Sequence, residues 1–125
     1  MGEKNRAVDL ASLASQRLAY VRRLEDAARH AVETLARVEG VRRVSVFGSF
    51  ARGRRDLFTD LDLLVVWETD KGPLDRVATL HPLLDVGVDL DLVCYTPAEF
   101  EALRESAFLR RVLAEERILY EAGAA

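Results

Sequence analysis

Val44-Ser45-Val46-Phe47-Gly48-Ser49 and, after ten intervening residues, Asp60-Leu61-Asp62-Leu63-Leu64-Val65-Val66-Trp67 are the stretches on which the fold turns. Both are dense in β-branched and aliphatic residues, which suit a pleated, buried surface, so each reads as a strand. Side chains alternate between faces along a strand, which puts Asp60 and Asp62 on the same face with Cα atoms ~6.6 Å apart at ~3.3 Å per residue. Two carboxylates that close repel and raise each other's pKa unless something neutralises them. Mg²⁺ does so well, because it takes oxygen ligands from one or two carboxylates together with substrate phosphates. Gly48-Ser49 adds the complementary half. Glycine lets the backbone approach closely, and a serine hydroxyl with the N–H groups after it can hold phosphate oxygens where a helix begins. Taken singly, an Asp-x-Asp at a strand entrance or a Gly-Ser at a turn is ordinary surface and turn chemistry. The combination at this spacing is specific.

Outward from this core, residues 8–38 carry apolar side chains at helical spacing, from Leu10 and Leu13 to Leu35 and Val38, and Gly40 is placed to end a helix. Thirty helical residues would span ~45 Å at 1.5 Å per residue. That is more than a small domain is wide, so either the helix breaks in two or a single helix projects and packs on a partner. Residues 41–47 form the first strand, 50–55 the start of a short helix, and 59/60–67 the second strand. Lys71-Gly72-Pro73 is a turn, residues 74–84 a short helix broken near His81-Pro82, and 88–95 a third strand. Thr96-Pro97-Ala98-Glu99 starts a helix with an N-cap, a proline at its first position and an acid at its third. That helix is expected to run to about residue 116, with 117–120 as a short closing strand. The alternation predicts an α/β (α+β) domain, a central mixed β-sheet flanked by helices. It divides into an N-terminal helical region (1–40), a catalytic sheet (41–95) and a C-terminal helix (96–125).

Composition bounds the function. A chain of 125 residues, half of them hydrophobic, suits one small domain with a proper core. The lone Cys94 allows no internal disulfide, and no Cys/His cluster points to zinc, so a reduced, cytoplasmic protein is expected. The polar start Met1-Gly2-Glu3-Lys4-Asn5-Arg6 lacks the apolar core of a leader peptide, and no apolar run approaches the ~20 residues of a membrane span. The net charge of −3 conceals a split: residues 1–55 carry +6 and residues 56–125 carry −9. The sign changes within Arg52-Gly53-Arg54-Arg55-Asp56, where phosphate contacts beside a metal site or plain solvated surface would both fit. His30 and His81 have no partner at catalytic spacing, Cys94 reads as a buried thiol, and Trp67 as a packing residue.

The Gly48-Ser49, ten-residue gap and Asp60-Leu61-Asp62 resemble the nucleotidyltransferase superfamily with the DNA polymerase β-type fold. The likeness is greatest to the minimal nucleotidyltransferases, small prokaryotic proteins with this motif. It extends over residues 41–95, includes Arg52-Gly53, and touches Leu119-Tyr120-Glu121. Thr59 stands where serine is commoner, and the N-terminal helical region exceeds the minimal form. The resemblance implies a third carboxylate on a neighbouring strand, commonly followed by Leu-Val. Asp89 and Asp91 both stand there on one face, and Asp91-Leu92-Val93 fits the pattern better. It further implies two-metal transfer of a nucleoside monophosphate from ATP or another nucleoside triphosphate to a hydroxyl. Asp60, Asp62 and Asp91 would hold two Mg²⁺ ions, and Gly48, Ser49 and Arg52 would bind the nucleotide. A chain this short leaves little room for an acceptor domain, so a helical partner of the HEPN type is expected, in an antitoxin-like pairing, with a homodimer also possible. Direct nucleic-acid binding and membrane association are not expected. A non-catalytic antitoxin of the same fold, acting by occlusion, is the alternative.

Overall fold

Apolar periodicity at the start of the chain produces one unbroken helix, α1 (Gly2–Ala36). The computed structural model describes the backbone of residues 2–84 and 87–123, and side-chain surroundings from residue 10 onward. Of the two readings of the long helical region, the projecting single helix is the one found. Residues 10–19 are exposed throughout, Leu10, Leu13 and Leu18 among them. From Tyr20 onward the same helix buries Leu24, Ala27, Ala28, Ala31 and Leu35. The stripe is continuous in sequence, but among the described side chains of α1 it meets the sheet from Tyr20 onward.

The sheet consists of β1 (Val41–Phe47), β2 (Leu61–Trp67), β3 (Leu90–Tyr95) and β4 (Arg117–Glu121), in the order β3-β2-β1-β4. β1 runs antiparallel to both β2 and β4, and β2 parallel to β3, giving the expected mixed sheet flanked by helices. The parallel pair is connected through α3 (Pro73–Leu80) and a 3-10 turn at His81–Leu84, the break anticipated at His81-Pro82. Alternation sends Val44, Val46, Leu61, Leu63 and Val65 to one face, beneath α1 and α3, while Leu64 and Val66 pack on Phe100, Leu109 and Val112 on the other. Among the described residues, no helix is long and apolar enough to cross a membrane.

Several boundaries differ from the sequence reading: β2 begins at Leu61 and β3 at Leu90, one or two residues later than expected, which leaves Asp60 and Asp89 just outside the strands. The expected helix at 50–55 is α2 (Gly48–Ala51), a single turn that begins at the glycine itself. The expected single helix from 96 to 116 is two, α4 (Pro97–Leu103) and α5 (Ala107–Glu115). The reason is a second N-cap: the Ser106 hydroxyl accepts the Leu109 N–H at 3.2 Å, turning the chain where the helical pattern read as continuous.

α4 is started by the anticipated capping box between Thr96 and Glu99. Glu99 also binds Arg76 of α3 in fork geometry, at 2.7 and 3.1 Å, while the Arg76 Nε donates to the Lys71 carbonyl at 2.7 Å. Arg76 is 5% exposed, so this pair joins helices on opposite faces of the sheet around its β3 edge. Glu99→Gln should therefore leave a buried guanidinium without its counter-charge and cost about 2 kcal/mol in denaturant unfolding. The double variant Arg76→Met/Glu99→Gln should recover much of that loss. An unchanged midpoint for Glu99→Gln would show that the pair contributes nothing.

Candidate active site

β1 ends at Phe47, which stands opposite Asp62 in the antiparallel register, so the Gly48-Ser49 turn closes over the first residues of β2. Gly48 has φ +71°, a conformation that L side chains rarely adopt. A Cβ on it would collide with the Asp62 carboxylate. The positive φ requires the glycine, and the Asp62 carboxylate it covers would have to turn aside for any larger residue.

The parallel register then sets Asp91 of β3 directly beside Asp62 of β2. Asp60 and Asp89 lie one step outside the strands, where the Leu61 N–H donates to the Asp89 carbonyl at 2.9 Å. Asp91 accordingly accompanies Asp62, and Asp89 lies at the entrance with Asp60. Burial first, and then the charges of Asp91 and Asp60, push the Asp62 carboxyl up to about 6; Arg52 acts in the opposite direction. A hydrogen bond between the Asp62 and Asp91 carboxyls adds to the rise. Among the described residues, no three carboxylate, imidazole or thiolate side chains stand close enough to enclose an ion. Asp62 and Asp91 form the tight pair, and Asp60 acts on it through its charge. This all-oxygen, mutually repelling set fits a hard divalent cation such as Mg²⁺, for which one or two carboxylates with substrate phosphates suffice.

The loop leading to Asp60 is organised by Asp56. Its carboxylate accepts the Phe58 N–H at 2.8 Å and the Thr59 hydroxyl at 3.2 Å, and it pairs with Arg54. Thr59 is fully buried, and its carbonyl accepts the Tyr20 hydroxyl from α1 at 2.8 Å. Of the three arginines at the sign change, Arg55 donates to the Phe50 and Arg54 carbonyls and covers the Phe50 ring. Only Arg52 reaches the cleft of about 330 Å³ that also contains Phe47, Gly48, Ser49, Asp62, Arg111 and Glu115. Arg111 and Glu115 escaped the sequence reading. They lie one turn apart on α5, and no local pattern marks them; the return of the chain along β1 through β4 brings them to the turn. Elsewhere, Trp67 packs as expected, donating its Nε1–H to the Glu39 carbonyl at 2.9 Å. Cys94 is half-buried, and burial pushes its thiol up to about 11.

Comparisons with known proteins bear on the domain and its fold. A family model described as a nucleotidyltransferase domain matches residues 26–120. Two proteins of Methanocaldococcus jannaschii, both named as candidate protein adenylyltransferases, are similar in sequence. One is 39% identical over 57 residues, which is 45% of this chain and 61% of that protein, so the match spans about three fifths of the relative's length. The other is 33% identical over 82 residues, 64% of this chain and 79% of the relative. A crystal structure of a candidate nucleotidyltransferase from Sulfolobus solfataricus superposes with a TM-score of 0.54 over 91% of each chain, at 14% identity. At that identity the likeness speaks for the fold alone.

The raised Asp62 carboxyl has a stability consequence in metal-free protein. Its folded pKa of about 6 exceeds the reference 3.8, so between these values the native state retains a proton that the unfolded state releases. Stability therefore falls as pH rises through that window and stays lower above it. Asp62→Asn lacks this term and should melt a few degrees higher than the unsubstituted protein in chelator at pH 7.5, with the gap closing below about pH 4. Equal melting at pH 7.5 would contradict the repulsion described here.

Proposed function

Because the chain belongs to the nucleotidyltransferase domain family, we propose that it transfers a nucleoside monophosphate, AMP from ATP in the first instance, to a hydroxyl on a protein acceptor. The observation that carries this reading is the Asp62–Asp91 pair, in register beneath the Gly48-Ser49 turn. The naming of both M. jannaschii relatives as protein adenylyltransferases supports the choice of nucleotide and of acceptor class.

Asp62 and Asp91, with Asp60 adding its charge beside them, would hold two Mg²⁺ ions together with the substrate's phosphates, and the ions would supply positive charge to the attacking and leaving oxygens of an in-line displacement. The acceptor oxygen bonds to the α-phosphorus, the bond from that phosphorus to the bridging oxygen breaks, and pyrophosphate departs with the electron pair. The acceptor's proton passes to solvent beside the exposed Asp91. The chain's own share is positioning and electrostatics. The Gly48 amide, the Ser49 hydroxyl and the Arg52 guanidinium bind the terminal phosphates. The Asp56–Thr59–Tyr20 bonds hold the loop that presents Asp60. ATP and Mg²⁺ are both abundant in the cytoplasm, which is where this activity belongs.

The acceptor is a helical HEPN-type partner. The projecting half of α1, with Leu10, Leu13 and Leu18 exposed, supports a docking role that a second copy of this chain could also fill. Those same leucines would serve an antitoxin that acts by occlusion alone. Label at the α-phosphate of ATP separates the two. With Mg²⁺ and the partner, the unsubstituted chain should transfer it. Asp91→Asn should reduce transfer a hundredfold or more, and Asp89→Asn less than about tenfold. Neutralisation of the partner without label transfer would favour occlusion. The reverse ranking would move the third ligand to Asp89.

A further inference from the structure

α5 ends with its Glu115 side chain turned back toward the Gly48-Ser49 turn. One carboxylate oxygen accepts the Gly48 N–H at 3.1 Å, and the other accepts an Arg52 N–H at 2.9 Å. The side chain is 19% exposed, and it lines the cleft that holds Ser49, Asp62 and Arg111. A backbone amide and a guanidinium are what a phosphate oxygen pair would take, and charge-assisted bonds of this kind are the strong ones. They are also the donors that the proposed function assigns to the terminal phosphates. The chain thus places its own anion on the groups that its substrate needs.

We infer that Glu115 is a resident competitor of the triphosphate, occupying the Gly48 amide and Arg52 until a nucleotide displaces it and returning as pyrophosphate leaves. The inference rests on the nucleotidyl-transfer reading of the cleft. The alternative is a positioning residue that keeps Arg52 aimed and remains in place when nucleotide binds. Charge favours displacement. The cleft already contains Asp62 with Asp91 and Asp60 beside it, and a triphosphate adds several negative charges. Glu115 left on the same two donors would repel it at contact distance in a partly desolvated site. Release is also sterically simple, because Glu115 is the last residue of α5 and its side chain has rotatable bonds to spare. Arg111, four residues back on the same helix face, is the cation to which the freed carboxylate can turn. The device would hold an empty cleft in its binding shape and weaken the grip on departing pyrophosphate.

Competition and positioning predict opposite signs. Isothermal titration of the full chain with tripolyphosphate, and with a non-hydrolysable ATP analogue plus Mg²⁺, should give roughly tenfold tighter binding for Glu115→Gln than for the unsubstituted chain. Glu115→Ala should tighten binding too, and Arg52→Ala should weaken it. Pyrophosphate should inhibit transfer by Glu115→Gln at about tenfold lower concentration. Equal or weaker binding by both Glu115 variants, with nucleotide still bound by the unsubstituted chain, would overturn the competitor and leave the transferase reading standing. Failure of every form to bind either probe would overturn both. Thermal melting of each variant before titration separates a lost fold from a lost contact.

Discussion

Two carboxylates facing each other across parallel strands are unfavourable, and the rest of the fold is arranged around holding Asp62 and Asp91 there. Left to themselves they would separate. They are kept in place by the apolar rungs beyond them, Leu63 with Leu92, Leu64 with Val93 and Val65 with Cys94, which lock the register of β2 and β3. A slip of one residue would turn every one of these side chains to the wrong face, so the core below the site enforces the repulsion above it. The Gly48 turn then closes over Asp62, so closely that a side chain at position 48 would displace the carboxylate. Stored repulsion beside an open cleft is what the proposed metal and phosphate binding would relieve.

Much of this was legible in sequence because it is local. Period-two alternation in residues 61–67 and the Gly-Ser turn before it fix which side chains share a face; β1 falls where expected, and β2 begins at Leu61, just after Asp60. Even the break at His81-Pro82 and the capping box at Thr96 carry their own chemical markers. What alternation alone could not separate was Asp89 from Asp91, since the sequence reading puts both on one face of a strand from 88 to 95, whereas β3 begins only at Leu90. The parallel register, a property of two strands together, sets Asp91 beside Asp62 and leaves Asp89 two residues earlier, just ahead of β3. The division of the C-terminal helical segment was missed because Ser106 sits within a run whose apolar spacing is helical on both sides; its hydroxyl caps α5 and ends the continuity.

The groups that sequence passed over are those whose role depends on topology. β4 returns beside β1 at the sheet edge, and this brings the end of α5 to the turn that follows β1. Tyr20 is similar. In the helical pattern it is one more residue on the stripe, yet its hydroxyl reaches across to the Thr59 carbonyl, immediately before Asp60. It is also the point at which α1 passes from exposed to buried. The start of the buried half of α1 and the residue before Asp60 are therefore joined through one buried hydrogen bond.

The paired carboxylates are open to direct observation. Carbon-13 NMR titration of the aspartate carboxyls, assigned through Asp62→Asn, follows Asp62 with and without Mg²⁺ and a non-hydrolysable ATP analogue. In metal-free protein Asp62 should titrate near 6, and with both ligands present its midpoint should fall by at least a unit as the cation replaces the shared proton. An Asp62 that titrates near 4 in the metal-free protein and does not respond to Mg²⁺ with nucleotide would contradict the account at its centre.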